Sequence, residues 1–141
     1  MKIFILEDDS NCEGVIDWLK GNHDVVKVVK NIEDAAYYLE YEGEYREYDK
    51  FIMDASLPGA VILHLDGTET KYNGALNGID YMLDIFPNLG IELQANKVAI
   101  LTAFAAYVKE YLGFKIEADS IRIIDKNDNR LKNNLQKFLE A

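Results

Sequence analysis

The sequence predicts an α/β fold, a doubly wound sheet of five parallel strands. Two observations predict it. Five apolar runs of strand length recur along the chain, and segments with helical spacing separate them. Apart from Lys27 and Arg122 the runs are apolar at successive positions rather than alternating, as expected of strands covered on both faces. Alternation of strand and helix calls for right-handed crossovers in one sheet.

The first strand is expected at Ile3–Leu6, and behind it Val15, Ile16, Trp18 and Leu19 form a helical stripe. Asp9 or Ser10 is the candidate cap of that helix, and Gly21 is expected to close it. Val25–Val29 is the second strand. A second helix starts near Asn31 and carries Ala35, Tyr38, Leu39 and Glu42. Phe51–Met53 is the third strand. Ile79, Met82, Leu83 and Phe86 mark the third helix, expected to end around Pro87. Val98–Leu101 is the fourth strand, followed by a helix from Ala105 to Leu112 that stops at Gly113. Ile121–Ile124 is the last strand. The final helix, from about Asp128, carries Leu131, Leu135, Phe138 and Leu139.

Among 141 residues, 49% are hydrophobic, enough for one buried core, and with two prolines and nine glycines no linker stands out. A single domain over residues 1–141 is expected. The formal charge of −10 opposes sequence-independent binding to nucleic acid or to anionic membranes. The one cysteine, Cys12, permits no internal disulfide. The apolar start is too short and too acidic for a signal peptide, and no run is long enough to insert in a membrane. A cytoplasmic location is the expectation.

In doubly wound sheets the functional crevice lies beyond the carboxyl ends of the strands. Here those ends carry Glu7-Asp8-Asp9, Asp54, Thr102 and Asp125-Lys126. Clustered carboxylates make a hard, oxygen-lined site suited to Mg²⁺, which offsets their mutual repulsion. A lysine opposite them pairs with an acid at rest and with a phosphoryl oxygen afterwards. A carboxylate nucleophile, a metal and a cation are the parts that phosphoryl transfer to aspartate needs.

Four segments carry a family resemblance: Ile3-Phe4-Ile5-Leu6-Glu7-Asp8-Asp9, Met53-Asp54-Ala55-Ser56-Leu57-Pro58-Gly59, Ala99-Ile100-Leu101-Thr102-Ala103, and Lys126. Together, in this order, they resemble the receiver domains of two-component response regulators. The resemblance implies a flavodoxin-like sheet of order 2-1-3-4-5. It implies Asp54 as phosphoacceptor in a phosphorelay, and Mg²⁺ bound by Asp8, by Glu7 mainly through water, by Asp54 and by the backbone carbonyl of Ser56. Thr102 is similar to the family's switch hydroxyl and Lys126 to its lysine. The implied partners are a histidine kinase or phosphotransfer protein as donor and a downstream protein, not nucleic acid, as recipient. Such a protein promotes its own phosphorylation and slow dephosphorylation and is not a turnover enzyme.

The chain departs from the family pattern in four places. Asn127 stands where a cis proline is usual, so a trans peptide or a strained loop is expected. Ile123 replaces the aromatic switch. Phe104, two past Thr102, is expected to crowd the water that attacks the acyl phosphate and so to prolong its life. An insertion at about 60–76, roughly sixteen residues, is too long for a structureless loop. Ala60–Leu65 and Thr68–Tyr72 are expected to pair as a hairpin around Asp66-Gly67. Its role is either to restrict access to the site or recognise a partner, or plain decoration.

His64-Leu65-Asp66-Gly67-Thr68 looks like the nucleophile motif of haloacid-dehalogenase-type phosphatases, but a histidine holds the nucleophile's place and the position is wrong. Neither His23 with His64 nor Cys12 has spacing or setting suited to metal or nucleophile work. Tyr37, Tyr41 and Tyr45 are expected on one face of the second helix, where they either help cover the sheet or, if exposed, mark a partner surface. Two rival functions stand beside the phosphoacceptor: a pseudo-receiver that only binds protein, which Asn127 and Ile123 favour, and a Mg²⁺-dependent phosphohydrolase, for which no general base is visible.

Overall fold

The computed structural model describes residues 1–23, 25–117 and 120–141. The strands are β1 (Lys2–Leu6), β2 (Val25–Val29), β3 (Lys50–Asp54), β4 (Ala60–Leu63), β5 (Glu69–Tyr72), β6 (Val98–Thr102) and β7 (Arg122–Asp125). The helices are α1 (Glu13–Asn22), α2 (Ile32–Ala36, continued by a π turn over Tyr37–Tyr41), α3 (Asn77–Leu89), α4 (Ala105–Gly113) and α5 (Leu131–Glu140). Five strands form a parallel sheet in the order β2-β1-β3-β6-β7, the flavodoxin-like order expected.

The sheet is covered on both faces, as its largely apolar strands require. Phe4, Leu6, Phe51, Met53, Val98 and Ile100 point into a core under α2, α3, α4 and the β4–β5 hairpin. Their neighbours Ile3, Ile5, Ile52, Ala99, Leu101 and Ile124 point the other way, against Ile16 and Leu19 of α1 and Leu135, Phe138 and Leu139 of α5. Cys12 is buried in this second core, where desolvation pushes its thiol up to about 11. That suits an inert packing residue.

The inserted segment is an antiparallel hairpin, with Ala60 opposite Tyr72 and Leu63 opposite Glu69. Gly67 turns it at φ 87, and the Asp66 carboxylate accepts from the Thr68 N–H at 2.9 Å. It is not an appendage, because Ala60, Ile62 and Tyr72 are buried in the main core. Polar contacts pin it as well. His64 Nδ1 lies 2.9 Å from Glu40 Oε1 and its Nε2 lies 3.0 Å from Thr70 Oγ1, while Tyr81 donates to the other Glu40 oxygen at 2.9 Å. Tyr41 donates to the Leu63 carbonyl, and Tyr72 donates to Asp84 at 3.0 Å.

Several helix ends differ from expectation for local reasons. Gly21 does not close α1, which runs on to Asn22; its φ is not in the left-handed region and nothing crowds it. Pro87 lies inside the last turn of α3, and Gly90, at φ 78, is the true left-handed stop. α5 begins at Leu131, because Asp128 takes up the Arg130 N–H in a preceding turn. Tyr45 is not on the face of α2: Gly43, at φ 66, ends that run and Tyr45 sits in a separate 3₁₀ turn, half-buried against the core. Tyr37 and Tyr41 remain exposed. No helix among the described residues is long and apolar enough to cross a membrane.

Candidate functional site

Register delivers the expected residues to one edge. Leu6 pairs with Met53, Asp54 with Leu101, and Thr102 with Asp125. The next residue after β1 is Glu7, held in line by its N–H to the Val29 carbonyl at 3.0 Å. Lys126 follows β7 and donates its backbone N–H to the Thr102 carbonyl at 2.8 Å.

Carboxylate oxygens of Glu7, Asp8 and Asp54 lie within 4.8 Å of one another. Glu7 and Asp54 are buried, 1% and 5% exposed, while Asp8 opens to solvent. The Lys126 ammonium sits among them, 2.8 Å from Glu7 Oε1, 3.4 Å from Asp54 Oδ2 and 3.8 Å from Asp9 Oδ2. Burial by itself lowers the lysine's proton affinity. The bond to Glu7 and the charges of Asp54 and Glu7 outweigh it and hold the ammonium above its ordinary value.

Asp54 is the most perturbed acid of the site. Burial first, and the charge of Glu7 second, push its carboxyl up to about 8 against the pull of Lys126. Two like charges this close in a dry site hold a proton that a cation would displace. Asp9, weighed as a helix cap, caps the 3₁₀ turn before α1 by accepting from the Asn11 N–H at 2.9 Å, and also faces Lys126.

The donor set fits Mg²⁺. All its side-chain ligands are hard oxygens. Glu7 Oε2 is buried without a hydrogen-bond partner among the described residues, which is costly unless a cation or water meets it. The Ser56 carbonyl accepts no hydrogen bond from the described residues either, although the carbonyls of Ala55 and Leu57 on either side of it do. The peptide between Lys126 and Asn127 is trans, as expected without proline, and Asn127 donates its side-chain amide to the Ala103 carbonyl at 3.3 Å. Thr102 Oγ1 accepts the Phe104 N–H at 3.0 Å, and the Phe104 ring stands 66% exposed.

Two residues that the sequence did not mark shape the loop after Asp54. Gly78 at the start of α3 packs so closely that a Cβ there would lie 2.0 Å from the Asp54 carbonyl oxygen. Asn77, 1% exposed, spends its whole amide on the loop and hairpin backbone. The only local signal was an Asn-Gly pair ahead of the apolar stripe of α3.

The chain matches no protein-family model and no curated protein. Solved structures do match. The Salmonella typhimurium response regulator RcsB aligns over 100% of this chain at 21% identity and TM-score 0.57. The chain spans 58% of the length of that protein. The BeF3-activated N-terminal receiver domain of Klebsiella pneumoniae RstA aligns over 100% of both chains at 22% identity and TM-score 0.56. The receiver domain of the Pseudomonas aeruginosa PAO1 sensor histidine kinase PA1611, with magnesium coordinated in its active-site cleft, covers 99% of this chain and 98% of its own at 18% identity and TM-score 0.56. The fold is that of response-regulator receiver domains.

Proposed function

We propose that the chain is a phosphoacceptor receiver domain of a phosphorelay, with Asp54 the acceptor. The observation that supports this best is the set of Glu7, Asp8 and Asp54 oxygens within 4.8 Å of one another, faced by Lys126, with Glu7 Oε2 left without a hydrogen-bond partner among the described residues. In the transfer, a carboxylate oxygen of Asp54 attacks the phosphorus of a phosphohistidine. The P–N bond breaks, an acyl phosphate forms, and the imidazole leaves with a proton from solvent.

Glu7, Asp8, Asp54 and the Ser56 carbonyl would hold Mg²⁺, which when bound supplies positive charge to the phosphoryl oxygens. The remaining work belongs to the chain. Lys126 bonds Glu7 and faces Asp54 at rest, and meets a phosphoryl oxygen afterwards. Thr102 carries a hydroxyl proton it can donate to the new group. Burial excludes water from the aspartyl side, which favours a persistent acyl phosphate, and Phe104 adds apolar bulk at the strand end. Rapid phosphate release unchanged by Phe104→Glu would count against that last role.

The partner that donates is of the phosphohistidine type, a histidine kinase or phosphotransfer protein. The signal leaves through protein contacts on the side of α4, β7 and α5, and a cleft of about 600 Å³ runs between α4 and β7 beside Ile123. The net charge of −10 fits a protein partner better than nucleic acid.

The test is intact mass after incubation with Mg²⁺ and a small acyl-phosphate donor, beside Asp54→Asn. A phosphoryl adduct in the parent protein and none in the variant is expected. An adduct of equal yield in Asp54→Asn, or none in either, would overturn the assignment; steady phosphate release from varied esters would favour a hydrolase.

A further inference from the structure

The loop after Asp54 is held by α3 in a way that bears on the metal site, and its role there rests on the reading of that site as a Mg²⁺ site. Asn77 Oδ1 accepts the Leu57 N–H at 2.8 Å. Its Nδ2 donates to the carbonyls of Leu57 at 2.8 Å, Tyr72 at 3.1 Å and Pro58 at 3.2 Å. The Leu57 N–H and the Ser56 C=O belong to one planar trans peptide, so they point in opposite directions. Gripping the N–H from the α3 side therefore turns the Ser56 carbonyl away from α3.

The preceding peptide is held on both sides too. The Ala55 carbonyl accepts the Gly78 N–H at 3.1 Å, and the Ser56 N–H donates to Asp54 Oδ1 at 3.3 Å. The one backbone acceptor these contacts leave open is the Ser56 carbonyl. The Tyr72 contact extends the clamp to the end of the hairpin, whose other contacts lie on α2 and α3. Asn77 is thus the one side chain joined by hydrogen bonds to both the acceptor loop and the inserted hairpin among the described residues.

We propose that Asn77 is a positioning residue: it aims the Ser56 carbonyl as a cation ligand and couples that ligand to the hairpin. Partners that orient metal ligands typically contribute 10–100-fold in affinity, so Asn77→Ala is expected to weaken Mg²⁺ binding about tenfold by titration calorimetry. Leu135→Ala, a cavity in the opposite core, controls for general destabilisation and is expected to leave the affinity unchanged.

Hydrogen exchange gives the second readout. Mg²⁺ is expected to slow exchange of the 69–72 amides in the parent protein and not in Asn77→Ala. Asn77→Asp keeps an oxygen for the Leu57 N–H but loses the donated bonds; it should recover most of the affinity without the hairpin response, and it carries the test if the alanine variant does not fold. A folded Asn77→Ala with parental affinity, or an Asn77→Asp as weak as alanine, overturns the proposal. A parent protein that binds no Mg²⁺ sinks the metal reading itself, an outcome distinct from a failure at Asn77.

Discussion

Gly78→Ala sets two effects of opposite sign against each other. Alanine favours a helix over glycine by about 1 kcal/mol, so propensity alone predicts a more stable protein. The packing predicts the reverse. A Cβ at Gly78 would stand 2.0 Å from the Asp54 carbonyl oxygen, 3.1 Å from the Asp54 carbonyl carbon and 3.2 Å from that of Ala55. Real Cβ contacts begin near 3.0 Å, and these neighbours are backbone, so no side chain can swing aside. The start of α3 must retreat by about 1 Å from β3, from 3.0 less 2.0. The Gly78 N–H bond to Ala55, 3.1 Å long, goes with it. Overpacking of this kind costs typically 1–3 kcal/mol and a lost hydrogen bond about 1, leaving a net loss of about 2 kcal/mol. Urea denaturation measures it. Gly14→Ala and Gly21→Ala, helical positions with nothing within 4 Å, give the contrast and should hold or gain stability. A Gly78→Ala protein as stable as its parent would refute the close-packing argument.

The remaining expectations concern charge. The Asp54 carboxyl is raised from 3.8 to about 8 in the folded protein, so folded chains bind a proton that unfolded ones release between those values. Its contribution is full below about 3.8 and lost as pH rises through about 8; the thermal midpoint of Mg²⁺-free protein should fall from pH 6 to 9, and Asp54→Asn should flatten the fall. A midpoint rising over that range in the parent alone would contradict it. Lys126→Met leaves Glu7 and Asp54 facing each other without a cation and should cost about 3 kcal/mol in urea, recovered in part by Mg²⁺; equal loss with and without Mg²⁺ speaks against the shared site. His64→Ala leaves buried Glu40 one partner short and should cost about 1–3 kcal/mol while speeding exchange of the β5 amides, and unchanged exchange would deny the anchor.

The strands were legible because burial on both faces leaves runs that are almost wholly apolar, interrupted only by Lys27 and Arg122 on the two edge strands. The site was legible for the same reason: Glu7, Asp54 and Thr102 each break such a run at its carboxyl end, and Lys126 follows Asp125 at the end of the last one, so register alone brings them together. What stayed hidden is non-local. Asn77 acts on Leu57 and Pro58, some twenty residues earlier in the chain, and no periodicity announces a side chain whose partners are backbone atoms. Glu40 reads as surface, since carboxylates usually are, yet it is buried between His64 and Tyr81, groups 24 and 41 residues away. Gly21 misled because a glycine near a helix end suggests a left-handed stop, whereas Gly90 supplies one with φ 78. Tyr45 was lost to its expected face by Gly43, whose positive φ no hydrophobic pattern encodes.

The central claim is that the Asp54 carboxylate takes the phosphoryl group. Borohydride trapping after incubation with an acyl-phosphate donor and Mg²⁺ tests it at the level of one residue, because an aspartyl phosphate is reduced to homoserine. Peptide mapping is expected to find homoserine at position 54 only, dependent on Mg²⁺ and reduced in yield by Lys126→Met. Homoserine at another aspartate, or a phosphoryl group that resists borohydride on a hydroxyl or imidazole, would contradict it.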